Sequence, residues 1–135
     1  MENIYIQRGE RTPSFFTDYD KGIVEIRGRS MPEDSLSFYT KIQKWIDDFI
    51  DMPLAKRPIT FTVLLEYYNT SSSKCLLDIF RTLGGLKRKG WNVSVNWLYY
   101  EDDDEMIANG IEFQSLLDYE LNVVQYSEKS FVLGK

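Results

Sequence analysis

"ITFTVLLEYYNTSSSKCLLDIF", residues 59–80, changes its period halfway along. In its first part Ile59, Phe61, Val63 and Leu65 fall on one side, with Thr60, Thr62 and Glu66 on the other. A period of two marks a strand with one buried face and one polar face. After "NTSSS", Leu76, Ile79, Phe80, Leu83 and Leu86 recur at helical spacing. The stretch therefore predicts a strand, a short polar turn and an amphipathic helix from about Ser72 to Lys89.

The same alternation recurs on both sides. In "IVEIRGR" Val24 and Ile26 oppose Glu25 and Arg27, and in "WNVSVNWLY" Trp91, Val93, Val95, Trp97 and Tyr99 oppose Asn92, Ser94 and Asn96. Strands covered on both faces read as continuous apolar runs. These do not, so the helices are expected on one face, with the other face open. A first helix follows "SMPE", with Ser30 and Glu33 as a capping box, and places Phe38, Ile42, Trp45, Ile46 and Phe49 on one side before stopping at Pro53. Further on, Asp102 or Asp103 caps a short helix that Gly110 ends, and "IEFQSLLDY" continues as another helical piece. "LNVVQY" is a late strand, and "NIYIQ" and "SFFTDY" add short early ones. The expectation is a single domain over 1–135, of the α/β class, with two layers.

Within the second helix, Gly84 and Gly85 each cost about 1 kcal/mol relative to Ala in an exposed interior. Close packing against a neighbouring element is preferred over a hinge as their reason. "KRKG", residues 87–90, closes the helix with cations at the negative end of its dipole and Gly90 in the left-handed cap.

Composition narrows the function. With 135 residues the chain builds a real core, and 15% aromatic residues argue against disorder. A net charge of -5 argues against a nucleic-acid surface. The N-terminus has no basic start followed by an apolar segment, and no apolar run is long enough to span a membrane, so a cytoplasmic protein without membrane partners is expected. The lone Cys75 fits a reducing compartment and is expected as a buried hydrophobe. There is no histidine, which removes the commonest general base and most zinc sites.

Attention then falls on "NTSSSK", residues 69–74. Thr70, Ser71, Ser72 and Ser73 stand in succession where the helix begins. One hydroxyl is enough for a cap. A helix start also favours an anion, bound there or attached to one of its hydroxyls as phosphate. Plain capping and phosphorylation both fit these residues. In the second reading Ser71 or Ser72 starts the helix and Thr70 stands just outside it, with Asn69, Ser73 and Lys74 around the phosphate.

"LEYYNTSSSK", the later "VNWLYYEDDDEM" and the opening "PSFFTDYDKGIVEIRGRSMPED" together resemble the SiaC family of bacterial regulatory phosphoproteins. The likeness implies a fold like the STAS anti-sigma-factor antagonists, a mixed sheet with helices mainly on one face. It implies a switch by phosphorylation of Thr70, with Ser71 and Ser72 as alternates. The partners it implies are a protein Ser/Thr kinase, a PP2C-type phosphatase and a diguanylate cyclase that the unmodified form binds and promotes. By that analogy the chain regulates cyclic di-GMP and so biofilm formation or aggregation, without cofactors, metal or catalysis of its own.

The five acids Glu101, Asp102, Asp103, Asp104 and Glu105 are read as a solvated helix start or, with Tyr68, as a partner-docking surface. Their spacing is not that of a calcium loop. An enzyme built on Asp103 and Asp104 lacks an identifiable partner group. The principal rival is a scaffold of the same fold that binds its partner regardless of phosphorylation.

Overall fold

The computed structural model describes residues 1–52 and 57–134. Along the chain come β1 (Tyr5–Ile6), β2 (Ser14–Asp18), β3 (Ile23–Ser30), α1 (Ser35–Ile50), β4 (Ile59–Tyr68), α2 (Thr70–Arg88), β5 (Val93–Tyr99), α3 (Asp104–Ser115) and β6 (Asn122–Gln125). The strands form one sheet in chain order. β1, β2 and β3 pair antiparallel, and β3 to β6 pair parallel. Each parallel step crosses through a helix to the next neighbour in the same direction. Because such crossovers are right-handed, all three helices fall on one face.

The alternation read from the sequence sets that face. Val24, Ile26, Phe61, Val63, Val95 and Trp97 are buried against Phe38, Ile42 and Ile46 of α1 and Leu76, Ile79, Phe80 and Leu83 of α2. Cys75 sits at the margin of this core, partly buried, where burial pushes its thiol pKa up.

Several boundaries differ from the expectation. Asp34, not Ser30, caps α1: its carboxylate accepts the Ser37 N–H at 3.0 Å, while Ser30 is the last residue of β3. The helix ends at Ile50, and Pro53, its expected stop, lies outside the described residues. Gly110 does not end a helix. α3 runs through it to Ser115, because Gly110 is where the helix crosses Trp97. The close of α2 is as read, with Gly90 at φ +95° donating to the Lys87 carbonyl at 3.0 Å.

The two helical glycines have different reasons. A Cβ on Gly84 would lie 2.8 and 2.9 Å from the Tyr119 ring, and that ring is pinned because its hydroxyl donates to the Phe80 carbonyl at 2.6 Å. A Cβ on Gly85 would meet nothing nearer than the Arg88 guanidinium at 3.7 Å. Gly84→Ala should therefore destabilise by about 1–3 kcal/mol through overpacking. Gly85→Ala should stabilise by about 1 kcal/mol. Urea unfolding of the pair checks this, and equal shifts would refute the packing assignment.

The second face of the sheet is not open. Past β6 the chain turns back over it, and Phe131 packs on Leu64 and Leu98 in a small separate cluster. Arg27 stacks on two rings of this strap, 4.8 Å from the Tyr126 centroid and 5.0 Å from that of Phe131. Glu25, expected in solvent, is only 2% exposed. Its carboxylate accepts the backbone N–H groups of Val132, Leu133 and Gly134 at 2.7, 2.8 and 2.9 Å. Three donors converging on one carboxylate are what make its burial tolerable.

Candidate functional site

Because β3, β4 and β5 run parallel, the turns that follow them share one end of the sheet. The turn into α1, the residue Asn69 before α2 and the acidic turn before α3 are therefore neighbours. A register shift at Gly28/Arg29 puts Arg29 opposite Tyr67 and Ser30 opposite Tyr68, skipping Glu66. That bulge turns Tyr68 to the helix side, where its ring meets Trp97 edge-on at 5.8 Å and Phe113 at 6.2 Å.

Asn69 alone connects β4 to α2 and is the helix cap. Its backbone N–H donates to the Ser30 carbonyl at 2.9 Å and its side-chain oxygen accepts the Ser72 N–H at 2.8 Å. Thr70 is thus the first residue inside the helix, not just outside it, since Asn69 already fills the capping role.

The hydroxyls that follow have separate employments. Ser72 is fully buried, accepts from the Ser30 hydroxyl at 2.8 Å and donates to the Ser30 carbonyl at 3.1 Å. The Ser30 and Tyr39 hydroxyls are hydrogen bonded at 2.6 Å, and burial pushes the Tyr39 hydroxyl pKa up to about 12. Ser71 is hydrogen bonded to the Ser35 hydroxyl at 2.7 Å and donates to Asn69 Oδ1 at 3.1 Å. This network bolts the starts of α1 and α2 to the end of β3. Ser72, one of the alternate acceptors expected above, is out of a kinase's reach in this fold. Ser73 is half-buried. Thr70 is exposed, and its hydroxyl makes no hydrogen bond among the described residues.

Asn69 covers the Ser72 N–H and leaves those of Thr70 and Ser71 at the positive end of a helix of 19 residues. An anion carried on Thr70 would find donors already in place. Lys74, one turn further, is exposed and makes no ion pair among the described residues.

The acidic turn divides similarly. Asp103 caps α3, accepting the Met106 N–H at 3.2 Å, and Asp104 and Glu105 occupy its first turn. Asp102 takes the left-handed conformation at φ +66°, which Asp tolerates better than most residues. Glu101, Asp102 and Asp104 face solvent. Among the described residues no three acidic or sulfur groups are placed to hold a metal ion.

Between α2 and α3 lies a cavity of about 120 Å³, walled by Ser73, Lys74 and Leu77 on one side and Asn109, Glu112 and Leu116 on the other, with Tyr68 and Phe113 at its floor. The Tyr68 hydroxyl pKa is pushed up to about 12, first by burial and then by the charges of Glu112 and Glu105. Sequence reading named Tyr68 and Lys74 but missed Ser30, Ser35, Tyr39, Asn109, Glu112 and Leu116. Ser30 was read only as the cap of the first helix, and Ser35 carried no mark of what it bonds.

A family model described as SiaC family regulatory phosphoprotein matches residues 6–126. The chain belongs to the SiaC family. An uncharacterised protein of Pseudomonas aeruginosa strain UCBPP-PA14 is 26% identical over 128 residues, which cover 95% of this chain and all of the relative. The crystal structure of apo-SiaC from P. aeruginosa superposes with a TM-score of 0.80 at 24% identity, covering 94% of this chain and 100% of that one. SiaC bound to the diguanylate cyclase SiaD, which it activates, gives a TM-score of 0.84 at 25% identity over 91% of this chain and 99% of that one. The SiaC match ends at Tyr126, so the segment that covers Glu25 lies past it. No helix among the described residues is long and apolar enough to cross a membrane.

Proposed function

We propose that this chain is a single-domain, non-enzymatic switch of the cytoplasm, set by reversible phosphorylation of Thr70 with Ser71 as the alternate acceptor. Its unmodified form binds and promotes a diguanylate cyclase, as the P. aeruginosa SiaC is an activator of SiaD. A protein Ser/Thr kinase and a PP2C-type phosphatase write and erase the mark, and the output is cyclic di-GMP and biofilm or aggregation behaviour. The observation that carries the reading is that, of the four successive hydroxyls, Thr70 alone is both exposed and unbonded at a helix start.

Site-resolved phosphopeptide mass spectrometry on the protein from its own cells tests it. Phosphate on Thr70 that phosphatase treatment removes is the expected result. Fully covered peptides without phosphate across growth conditions would sink the switch. The alternative, a constitutive binding scaffold, draws on the same network, because Ser71 and Ser72 have structural employment that needs no regulation.

A further inference from the structure

The sheet ends at β6, whose outer side has no neighbouring strand among the described residues. This strand, "NVVQ", carries no charge, no proline and no bulge, and its only guard against further pairing is its length of four residues. The Tyr126 N–H donates to the Tyr99 carbonyl at 2.8 Å, so the even residues of this stretch turn their backbone groups to β5. Val123 and Gln125 therefore point theirs outward. Val124, opposite Leu98 on the strap side of the sheet, stands at this edge 47% exposed.

On the other face, α3 adds an apolar flank above the same edge. Gly110 rests on Trp97 and Val123, while Asn109, Glu112 and Leu116 line the side towards α2. At about 3.6 residues per turn, Ile107, Ile111 and Gln114 then fall on the opposite flank. Gln114 bears this out, since its side-chain oxygen accepts the Leu121 N–H, just before β6, at 2.6 Å. Ile111 is 61% exposed there. In a chain of net charge -5, residues 106–111 and β6 are both uncharged, so a second copy of this chain meets no like charge along the contact.

We propose that this edge pairs with the same edge of a second copy, antiparallel about a twofold axis normal to the sheet that passes between the two Val124 residues. In that register Val123 and Gln125 of one copy exchange backbone hydrogen bonds with Gln125 and Val123 of the other. The two Val124 side chains meet in the close, non-hydrogen-bonded pair. The helices fit the same axis. Strands lie about 4.8 Å apart, and α3, resting on Trp97 and Val123, runs midway between β5 and β6. Its axis is then about 4.8 Å from the twofold, which sets the two α3 helices about 10 Å apart, an ordinary helix-packing distance. Val124 lies about 3.3 Å beyond Val123, a step that α3, running the other way, covers in about two residues from Gly110. That level falls between Ile107 and Ile111, so Ile107 of each copy packs against Ile111 of the other. With α3 about 18 Å long and the flank about 20 Å deep, the contact buries roughly 700 Å² in total. That is the size of a reversible association, not an obligate one. Thr70 stays open in both copies, because α2 lies across α3 from the edge.

The test is sedimentation equilibrium of the whole protein from about 1 μM to about 1 mM, a span suited to a small interface. The wild type should pass from monomer to dimer. Val124→Lys and Ile111→Lys, both at exposed positions, should each raise the dissociation constant about tenfold or more, since a substitution acts twice in a symmetric contact. Leu36→Lys, at a position 72% exposed on α1, should dimerise like the wild type. In a Cys75→Ala background, Val124→Cys should give a covalent dimer on mild oxidation, because facing residues of a non-hydrogen-bonded pair are about 4.5 Å apart at Cα, within disulfide reach. Leu36→Cys in that background should not. A wild type that remains monomeric throughout overturns the proposal. So does a dimer that both lysine substitutions leave intact, or one in which Val124→Cys fails to cross-link.

Discussion

Thr70→Glu is expected to lose about a hundredfold in affinity for the cyclase, while Thr70→Ala binds as the wild type does. A hundredfold is about 2.7 kcal/mol, within what one uncompensated charge costs at an interface. The Ala variant removes a hydroxyl that bonds to nothing among the described residues, so it leaves the surface neutral. The Glu variant places a carboxylate in the first turn of α2, where the dipole favours it by about 0.3–1 kcal/mol. Its melting temperature should therefore hold or rise. This combination separates a surface effect from unfolding: affinity falls while stability does not. Calorimetric titration and thermal melts of the three proteins supply both readouts. Equal affinity for all three would abandon the switch in favour of the constitutive scaffold.

Gly110→Ala is expected to cost about 3 kcal/mol of stability, at the upper end of what overpacking does. In most helix interiors the same change stabilises by about 1 kcal/mol. Here a Cβ would sit 2.6 Å from Trp97 Cδ1, 3.0 Å from its Nε1 and 3.1 Å from a Val123 methyl. The indole has no room to retreat. It is 1% exposed, its N–H donates to the Met106 carbonyl at 2.9 Å, and Tyr68, Phe80 and Phe113 surround it. The alternative is for α3 to lift off the sheet, which breaks the indole's hydrogen bond. Urea unfolding followed by tryptophan fluorescence measures the loss, and a stabilised variant would mean that α3 does not rest on Trp97.

What could be read from the chain beforehand was what repeats locally. The period of two in β3, β4 and β5 and the apolar stripes of α1 and α2 identified the layers, because a strand face or helix face is a property of neighbouring residues. Caps were less legible. Ser30 and Asp34 are equally good capping types, and the choice between them was made by β3, which pairs Ser30 with Tyr68 and so keeps it in the sheet. Likewise Asn69 takes the capping role because its N–H is held by the Ser30 carbonyl, a contact 39 positions away in the chain. Gly110 looked like an ending because glycine usually is one, and only the ring beneath it says otherwise. Of the site, Thr70 and Lys74 were legible in one motif. Glu112 was not, since it acquires meaning only when α3 is laid beside α2. Glu25 misled most: it alternates like a solvent residue, and its three donors lie 107 to 109 positions further on.

That separation has a consequence for how the protein is made. As the chain leaves the ribosome, β3, β4 and β5 can pair and gather their helices while residues 131–134 do not yet exist. Throughout that interval Leu64 and Leu98 form a bare apolar strip, with the Glu25 carboxylate unanswered beside it. Once β6 has paired with β5 only a short segment separates Gln125 from Val132, so the strap closes over the strip soon after it emerges. The nascent protein thus passes through a state with all its layers built and one side sticky, and it is in that state that a chaperone has something to hold.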